Sequence, residues 1–340
     1  MTIDFHHHML PPQLLDALGA HDIHTIGGEP IPPWKPEASL DIMDRSTIAR
    51  AILSVPIPLH FLDPAAASIL ATEVNRYGED CARRWPDRFG YFASLPLPTV
   101  DAAVAEAISA LDEHGASGVA MLSNHAGLYQ GDPLLDPLYE ELDKRHAVAF
   151  VHPAVSTNGM YPTQPGDGSP VPGIQPSQLE FGFDSTRAVA NLLLHQVDRR
   201  FPNIRFVFTH SATCVPSVLH KLLDRKPLVD AYTAYLRDHG TPPPARDVLE
   251  QLHTAEAGAR QRIRWFYFDT ALSTATPVLD ALTSIVSTNH ILLGTDFPFG
   301  QEIGLRYTID GINTYPRFTA DDRTRVLGTN ARTLLGLRHE

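Results

Sequence analysis

The chain has 340 residues, 43% of them hydrophobic, and is long enough to form two ordinary domains or one α/β barrel of about 250 residues with insertions. A formal net charge of −12 without any Lys/Arg-rich run argues against a nucleic-acid partner, and no stretch approaches the roughly 20 apolar residues of a membrane span. Two cysteines, Cys81 and Cys214, and the lack of a signal-peptide pattern predict a cytoplasmic protein.

The first ten residues carry the strongest local signal. Their β-branched and aromatic residues favour a strand, in which alternate side chains share a face, so His6 and His8 emerge together. Two imidazoles at the end of a strand can bind one divalent ion. We interpret the segment as a metal-binding strand rather than a purification tag, because a Pro-Pro helix start follows it directly. His7 points to the opposite face, where we expect it to pack or to form a hydrogen bond.

Short apolar runs alternate with helical patterns along the rest of the chain. Such alternation favours parallel strands joined by right-handed crossovers. Eight strands predict a (β/α)8 TIM-type barrel, treated as one domain over residues 1–340, with a doubly wound open sheet as the alternative. The candidate strands are 2–7, 48–55, 89–94, 118–122, 147–152, 204–209, 264–269 and 290–295. The helical patterns lie near 65–85, 100–114, 134–145, 185–200, 215–225 and 275–287.

Three stretches interrupt this alternation, at 22–38, 154–180 and 226–263. The first two are rich in Pro and Gly and would follow strands 1 and 5, so we expect loop insertions on the C-terminal face, where barrel enzymes have their active sites. The third contains three consecutive prolines and a polar helical tail. Near the C-terminus, Thr319-Ala-Asp-Asp322 is typical of a helix start.

Polar residues close four of the apolar strands. Strand 1 ends in His6 and His8, strand 5 in His152, strand 6 in His210 and strand 8 in Asp296. Ionisable groups have little reason to collect at strand ends unless they share a site. Three imidazole nitrogens and one carboxylate suit a single divalent ion, and a further histidine could then act as an acid, a base or an electrostatic partner.

The same residues carry a resemblance to a known family. Asp4-Phe-His-His-His-Met-Leu-Pro11, His152-Pro153, Thr209-His210 and Gly294-Thr-Asp-Phe-Pro298 are similar to motifs of the amidohydrolase superfamily, in its branch of aminocarboxymuconate-semialdehyde decarboxylase-like enzymes. Within that branch, 181–187 and 267–273 resemble the 6-methylsalicylate decarboxylase subgroup. The motifs occur in the same order over nearly the whole chain.

The resemblance implies roles for individual residues. Carried over by position, the metal ligands are His6, His8, His152 and Asp296, and the catalytic residues are His210 and Asp296. The cofactor would be one divalent ion, zinc in the first place and manganese as the alternative, since residues 121–124 offer no lysine for a two-metal site. The resemblance also implies a homodimer, in which Lys221 stands where a basic residue reaches the neighbouring site.

Residues expected to contact the substrate complete the candidate site. Trp34 and Phe297, with Phe299, would form apolar walls, while Arg187 and Lys221 would hold a carboxylate. Each has a structural alternative: Trp34 could fill a surface crevice, Arg187 could form an ion pair, and Lys221 could be a solvated helix residue. His125, His146 and His290 are interpreted as incidental.

Two departures from the branch pattern bear on the substrate. Residues 210–216 read His-Ser-Ala-Thr-Cys-Val-Pro, where the branch has a glycine-rich turn, and Asp41 stands in place of an arginine. We therefore expect a substrate other than the muconate semialdehyde.

The leading functional hypothesis is non-oxidative decarboxylation of a small hydroxylated aromatic acid, similar to 6-methylsalicylate. The phenol and carboxylate oxygens would chelate the ion, Asp296 would deliver a proton to the ring carbon, and His210 would orient the substrate. The alternative is hydrolysis of a lactone or amide, with Asp296 as the base and His210 as the oxyanion partner. A third hypothesis, a non-catalytic binding protein on a barrel scaffold, would require loss of a ligand, and none is lost.

Overall fold

Eight parallel strands form the centre of the molecule in this computed structural model, which describes residues 1–154, 173–212, 214–218 and 226–337. The strands are β1 (Ile3–His8), β2 (Arg50–Ser54), β3 (Phe89–Tyr91 and Ala93–Ser94), β4 (Val119–Leu122), β5 (Val148–His152), β6 (Arg205–Phe208), β7 (Tyr267–Asp269) and β8 (Ile291–Leu292).

The strands pair in chain order and close into a barrel. Every pair from β1–β2 to β7–β8 is parallel, and β3 changes partner at Phe92, with its first part on β2 and its second part on β4. The seam between β8 and β1 is closed by backbone hydrogen bonds from Phe5 to Leu293 (2.8 Å) and from His8 to Phe297 (2.7 Å). The predicted (β/α)8 barrel is confirmed, and the open sheet is wrong.

Helices surround the barrel. Their bounds are α1 (Pro12–Ala20), α2 (Pro36–Arg45), α3 (Pro64–Arg84), α4 (Val100–Asp112), α5 (Asp136–Lys144), α6 (Glu180–Leu194), α7 (Val197–Arg200), α8 (Val215–Val218), α9 (Lys226–His239), α10 (Ala245–Ile263), α11 (Thr276–Thr283), α12 (Gln301–Thr314), α13 (Ala320–Thr324) and α14 (Asn330–Leu334). Single 3-10 turns lie at Pro133–Leu135, Pro176–Gln178, His210–Ala212 and Thr288–His290, and a π turn at Arg325–Thr329.

Aromatic side chains fill the inside of the barrel. Phe92 on β3 and Phe150 on β5 stack with ring centroids 5.2 Å apart, and Phe5 of β1 packs against both. A second apolar layer lies between the strands and the helices. Because the interior is filled below this level, a ligand can reach the barrel axis only at the C-terminal mouth.

Most predicted elements are confirmed to within a few residues. The predicted helix at 215–225 is described only over α8, because residues 219–225 lie outside the described residues, and α12 was not predicted. The other differences lie in the three interruptions. Residues 22–38 contain a small hairpin, Thr25–Ile26 with Glu29–Pro30, before α2 begins. Residues 226–263 form two helices, so the predicted polar helical tail is confirmed as α10, and a further helix, α9, precedes the three prolines. Residues 155–172 of the second insertion lie outside the described residues.

Other sequence predictions concern single features. Thr319 starts α13 with a capping box, as predicted, because its hydroxyl accepts from the Asp322 backbone N–H. Cys81 and Cys214 are free thiols. Among the described residues, none of the helices combines the length and the apolar character that crossing a membrane demands.

Candidate metal centre and active site

The seam between β1 and β8 brings three predicted ligands together. The Nε2 atoms of His6 and His8 lie 2.8 Å apart, and Oδ1 of Asp296 lies 3.3 Å from the first and 3.0 Å from the second. Both imidazoles are fully buried, and Asp296 is 7% exposed. Because His6 and His8 stand two residues apart on β1 and share a face, the three groups converge on one point.

His152 and His210 complete the cluster from the other side of the mouth. One ligand atom from each of His6, His152, His210 and Asp296 lies within 4.8 Å of the others. His152 closes β5 and His210 follows β6, so adjacent strands place them side by side, with ring centroids 5.5 Å apart. The structure therefore brings together all five residues that the strand ends predicted.

Each of the four histidines has an acceptor at Nδ1. The acceptors are Oδ2 of Asp269 for His6 (2.8 Å), the Ser54 hydroxyl for His8 (3.0 Å), the Pro153 carbonyl for His152 (2.9 Å) and the Ala271 carbonyl for His210 (3.0 Å). An Nδ1–H that donates to such an acceptor leaves the Nε2 lone pair for the cluster. This common arrangement, with one carboxylate in addition, fits a divalent ion of the zinc or manganese type.

Asp269 is the residue that the sequence reasoning missed. It closes β7 and is fully buried. Its Oδ2 accepts from His6, while Oδ1 accepts from the backbone N–H groups of His210 (3.0 Å) and Ala271 (2.9 Å). One carboxylate thus orients a proposed ligand and the proposed catalytic histidine. The strand-end rule would have found it, since Asp269 follows Phe268 as Asp296 follows its own apolar strand.

A second buried carboxylate, Asp4, fixes the seam. Its Oδ1 accepts from the backbone N–H groups of His6 (3.2 Å) and Thr295 (3.0 Å), and its Oδ2 accepts from the Thr295 hydroxyl (2.5 Å). Because Thr295 immediately precedes Asp296, Asp4 ties the ligands on β1 to the ligand after β8.

His7 faces away from the cluster, as predicted, and links it to the first insertion. Its Nδ1 lies 2.8 Å from Oδ2 of Asp4, and its Nε2 lies 2.8 Å from the Ser39 hydroxyl. Ser39 also accepts from the indole N–H of Trp34 (2.8 Å). This chain of contacts, Asp4–His7–Ser39–Trp34, connects β1 to the loop that carries Trp34.

The end of β5 is held by a buried carboxylate on α6. Asp184 accepts from the Ser123 hydroxyl and from the Asn124 amide (2.8 Å). Ser123 in turn accepts from the Ala154 backbone N–H (2.8 Å), and its own N–H donates to the His152 carbonyl (2.8 Å). Helix α6 thereby fixes the turn that follows His152.

Charge and burial compete in the cluster. Burial lowers the pKa of a histidine, but the carboxylates of Asp269 and Asp296 outweigh it at His6 and raise the pKa of His6 to about 10. At His8, burial prevails and lowers the pKa to about 4. Burial would raise the pKa of Asp296, yet its contacts with His6 and His8 hold it well below its usual range. Asp296 is therefore a carboxylate near neutral pH.

The two proposed catalytic residues adopt left-handed backbone conformations. Asp296 has φ 60°, and His210, Ser211 and Ala212 follow one another at 53°, 59° and 40°. The branch pattern has glycines in the turn after the catalytic histidine, and here side chains occupy it. Such strain persists only where surrounding contacts enforce it, and it concentrates at functional sites.

Aromatic side chains line the mouth. Phe299 packs on His8 (ring centroids 5.6 Å apart) and Phe181 on His152 (5.7 Å). Phe297, predicted as a wall residue, instead packs on His7 (5.1 Å), which faces away from the cluster. Trp34 is half-buried against Tyr77. Phe181 lies in the 181–187 motif but was not predicted as a site residue. Its contact with His152 makes it an additional wall residue.

Neither of the two predicted cationic contacts, Arg187 and Lys221, is observed in the cluster. Arg187 is exposed on α6, one turn after Asp184, and is not among the residues of the cluster. Lys221 lies outside the described residues. Their roles in substrate binding stay predictions.

Comparison with known proteins agrees with this geometry. The sequence profile of the amidohydrolase family matches residues 3–337. The chain is 32% identical to the 6-methylsalicylic acid decarboxylase acuB of Aspergillus aculeatus, covering 95% of this chain and 89% of that protein. It is 31% identical to the decarboxylase yanB of Aspergillus niger, covering 93% and 80%.

Solved structures share the whole fold. A crystal structure described as an amidohydrolase II superimposes with a TM-score of 0.82 at 28% identity, over 99% of this chain and all of the other. A dihydroxybenzoic acid decarboxylase from Polaromonas, solved with manganese and the inhibitor 2-nitroresorcinol, superimposes with a TM-score of 0.74 at 17% identity, over 100% of this chain and 98% of the other.

Proposed function

This chain belongs to the amidohydrolase family, in the branch of its decarboxylases, and from that membership we propose that it is a metal-dependent decarboxylase of a hydroxylated aromatic carboxylic acid. The observation that carries the proposal is the cluster of four histidines and one aspartate at the barrel mouth, in a chain similar over 95% of its length to a 6-methylsalicylic acid decarboxylase. The substrate we propose is 6-methylsalicylate or a close relative.

The proposed ligands are His6, His8, His152 and Asp296. A divalent ion held there would supply Lewis-acid stabilisation of the negative charge on the substrate oxygens. The support for this set is the shared Nδ1 anchoring of the histidines and their convergence with Asp296. Zinc suits a histidine-rich site, whereas the Polaromonas relative was solved with manganese, so we propose zinc first and manganese second.

Asp296 and His210 are the residues proposed to move and guide protons. Because Asp296 is a carboxylate, it must first take a proton, and the phenol hydroxyl of the substrate is the group that can supply one. Asp296 then delivers that proton to the ring carbon bearing the carboxylate. The carbon–carbon bond breaks, its electron pair returns to the ring, and neutral CO2 leaves a phenolate that solvent reprotonates.

His210 is proposed to orient the substrate. Burial lowers its pKa, so near neutral pH it is uncharged, and its Nδ1 is committed to the Ala271 carbonyl. Nε2 is then the ring atom left to contact the substrate oxygens. The aromatic walls formed by Phe181 and Phe299 exclude water from this position, which favours departure of neutral CO2 over retention of a carboxylate.

A homodimer in the cytoplasm is the assembly and location that we propose. Helices α9 and α10 expose Val229, Tyr232, Leu236, Leu249 and Leu252. Side chains three or four residues apart lie on one helix face, and such an apolar face is suited to cover by a second copy. Sedimentation equilibrium at micromolar concentration tests this, and a monomer would contradict it.

The test of the function is CO2 release from salicylate, 6-methylsalicylate and dihydroxybenzoates, with and without prior chelation. We expect release that chelation abolishes and that zinc or manganese restores. The Asp296→Asn variant, which cannot carry the proton, should lose at least about 100-fold in rate. If the metal-loaded protein releases no CO2 but opens lactones or amides, hydrolysis replaces the proposed reaction.

A further inference from the structure

Three buried polar atoms at the barrel mouth have no hydrogen-bond partner among the described residues. They are Nδ1 of His60, Oγ of Ser94 and Nδ1 of His125. These residues follow or close β2, β3 and β4, the side of the mouth that contributes none of the proposed ligands. Leaving a buried polar atom unpaired costs about 1–3 kcal/mol, and native structures avoid it. A hydrogen-bond partner for these atoms must therefore come from outside the described residues.

Ser94 lies in the same layer of the barrel as the proposed metal ligand His152. Phe92 and Phe150 stack inside the barrel, and Ser94 and His152 stand two residues further along the same strands. Side chains two residues apart share a face, so both point into the mouth directly above the stacked rings. One strand, β4, separates them, which spaces their backbones by about 10 Å, enough for an aromatic ring to lie between their side chains.

The strand register places His125 near Ser94, and His125 offers a donor. Its Nε2 accepts from the Leu122 backbone N–H (3.0 Å), which fixes the proton on Nδ1. Ser94, the last residue of β3, is the register partner of Ala120 on β4. The Leu122 N–H, two residues further along β4, therefore lies beyond the end of β3. The His125 imidazole thus accepts the hydrogen bond that a further residue of β3 would otherwise accept, and it lies next to the end of β3. His125, which the sequence reasoning interpreted as incidental, is only 4% exposed.

The wall formed by His60, Ser94 and His125 is uncharged. Burial, together with the nearby His60, lowers the pKa of His125 to about 3, and burial also lowers the pKa of His60. At neutral pH the wall therefore offers an imidazole N–H and a hydroxyl rather than a cation. Neutral donors suit a hydroxyl oxygen, whereas a carboxylate would require a compensating positive charge after losing its water.

We propose that Ser94 and His125 form a subsite for a second hydroxyl group on the aromatic ring of the substrate, at the edge opposite the cluster of His6, His152 and Asp296. The subsite rests on the proposed function, because it assumes that the carboxylate-bearing edge of the ring faces that cluster. It adds a specificity determinant: among 6-methylsalicylate and its close relatives, the preferred acid carries one hydroxyl beside the carboxylate and another at the far edge. His60 closes the subsite from the β2 side.

Binding of unreactive analogues tests the subsite. In 2-nitrophenol a nitro group stands in for the carboxylate and cannot leave as CO2, so calorimetric titration of the metal-loaded protein measures binding alone. We expect at least one of its ring-hydroxylated derivatives to bind about tenfold more tightly than 2-nitrophenol, the effect of one buried hydrogen bond. In Ser94→Ala this preference should fall to about twofold or less, with the affinity for 2-nitrophenol unchanged.

A second variant and a matched control keep the test sharp. His125→Gln retains an acceptor for the Leu122 N–H and should weaken the same preference without changing metal content. Ser46→Ala removes another buried hydroxyl that lacks a partner among the described residues, at the end of α2 on the N-terminal side of the barrel, and should leave all affinities unchanged.

Two results would overturn the subsite: equal affinity for 2-nitrophenol and all its hydroxylated derivatives, or a preference that survives in both variants. Either would mean that water fills the wall. The outcome is separable from that of the proposed function. Analogue preference without CO2 release from any acid would retain the subsite and reject the reaction. CO2 release without analogue preference would retain the reaction and reject the subsite.

Discussion

Asp269 orients the cluster through two of its histidines without belonging to the proposed ligand set. Its two oxygens accept from the His6 ring and from the His210 backbone, so a single charge fixes groups on two different strands. A carboxylate that accepts from a ligand histidine also raises the basicity of that ligand. The strength of metal binding should therefore depend on its charge.

Replacing Asp269 by Asn tests this dependence. The amide oxygen can still accept from His6, but the charge is lost, so we expect the affinity for zinc or manganese to fall about 10–100-fold. Competition with a chromogenic chelator measures the affinity. Asp101→Asn, at an exposed position in the first turn of α4, should leave it unchanged. Equal affinities in the two variants would show that the charge of Asp269 does not tune the ion.

Ser39 joins two groups that would otherwise be unpaired. Its hydroxyl contacts the His7 ring and accepts from the Trp34 indole, and Ser39 and His7 are fully buried. In Ser39→Ala both ring groups lose this partner, so we expect the free energy of unfolding to fall by about 1–3 kcal/mol in urea titrations. Ser284→Ala, at an exposed position, should change it by no more than about 0.5 kcal/mol. A loss no larger than that of the control would contradict the linkage.

For single residues, the sequence predicts the side chains that converge on the cluster, but not most of the residues that hold those side chains in place. Strand alternation and strand ends depend on local sequence, so His6, His8, His152, His210 and Asp296 could be found without a structure. The contact between His7 and Ser39 joins residues 32 positions apart, and no periodicity encodes it. Asp269 is the exception, because it follows an apolar strand in the same way as the predicted residues.

Among the elements, the first insertion packs on the start of α6. The Gly27 carbonyl accepts from the Ser177 backbone N–H (3.0 Å), and the Ser177 hydroxyl donates to Glu29 (3.0 Å). A Cβ on Gly27 would lie 2.5 Å from the ring of Phe181, the residue that packs on His152. The hairpin at 25–30 and α6 thus enclose one side of the mouth, and glycine is what lets them approach.

Gly27→Ala should separate these elements. Gly27 has φ +56°, so the added Cβ brings backbone strain as well as the clash with Phe181. We expect about 1–3 kcal/mol of destabilisation in urea titrations and a higher KM for the aromatic acid, since the Phe181 wall is displaced. Gly19→Ala, with nothing within 4 Å of the new Cβ in α1, should instead stabilise by about 0.5–1 kcal/mol. Similar effects in both variants would contradict the close approach.

The elements that the sequence predicted best are those with a buried side. The barrel strands are short, apolar and covered on both faces, so their positions could be read from hydrophobic runs. Helices α9 and α10 carry apolar side chains on an exposed face, and three consecutive prolines separate the two helices. What covers such helices depends on contacts between elements, which a single sequence does not encode.

For the whole molecule, the position of the cluster across the barrel seam matters most. The proposed ligands His6 and His8 belong to the first strand, and Asp296 follows the last strand, so an ion bound by all three connects the two ends of the barrel. The unfolded chain holds these residues about 290 positions apart and offers no comparable site. Binding should consequently stabilise the closed barrel and not merely the mouth.

Thermal unfolding with and without metal tests this role of the seam. At a free-metal concentration 100 times the Kd, binding to the native state alone adds about 2.7 kcal/mol, which raises the Tm of a chain of 340 residues by about 4 °C. Asp101→Asn should show the same rise, and Asp296→Asn a much smaller one. Hydrogen exchange at the seam amides of Phe5 and His8, which donate to Leu293 and Phe297, should slow by the same free energy if the ion holds the first and last strands together. Slower exchange confined to the loops of the mouth, with the seam amides unchanged, would mean that the ion organises the site without closing the barrel.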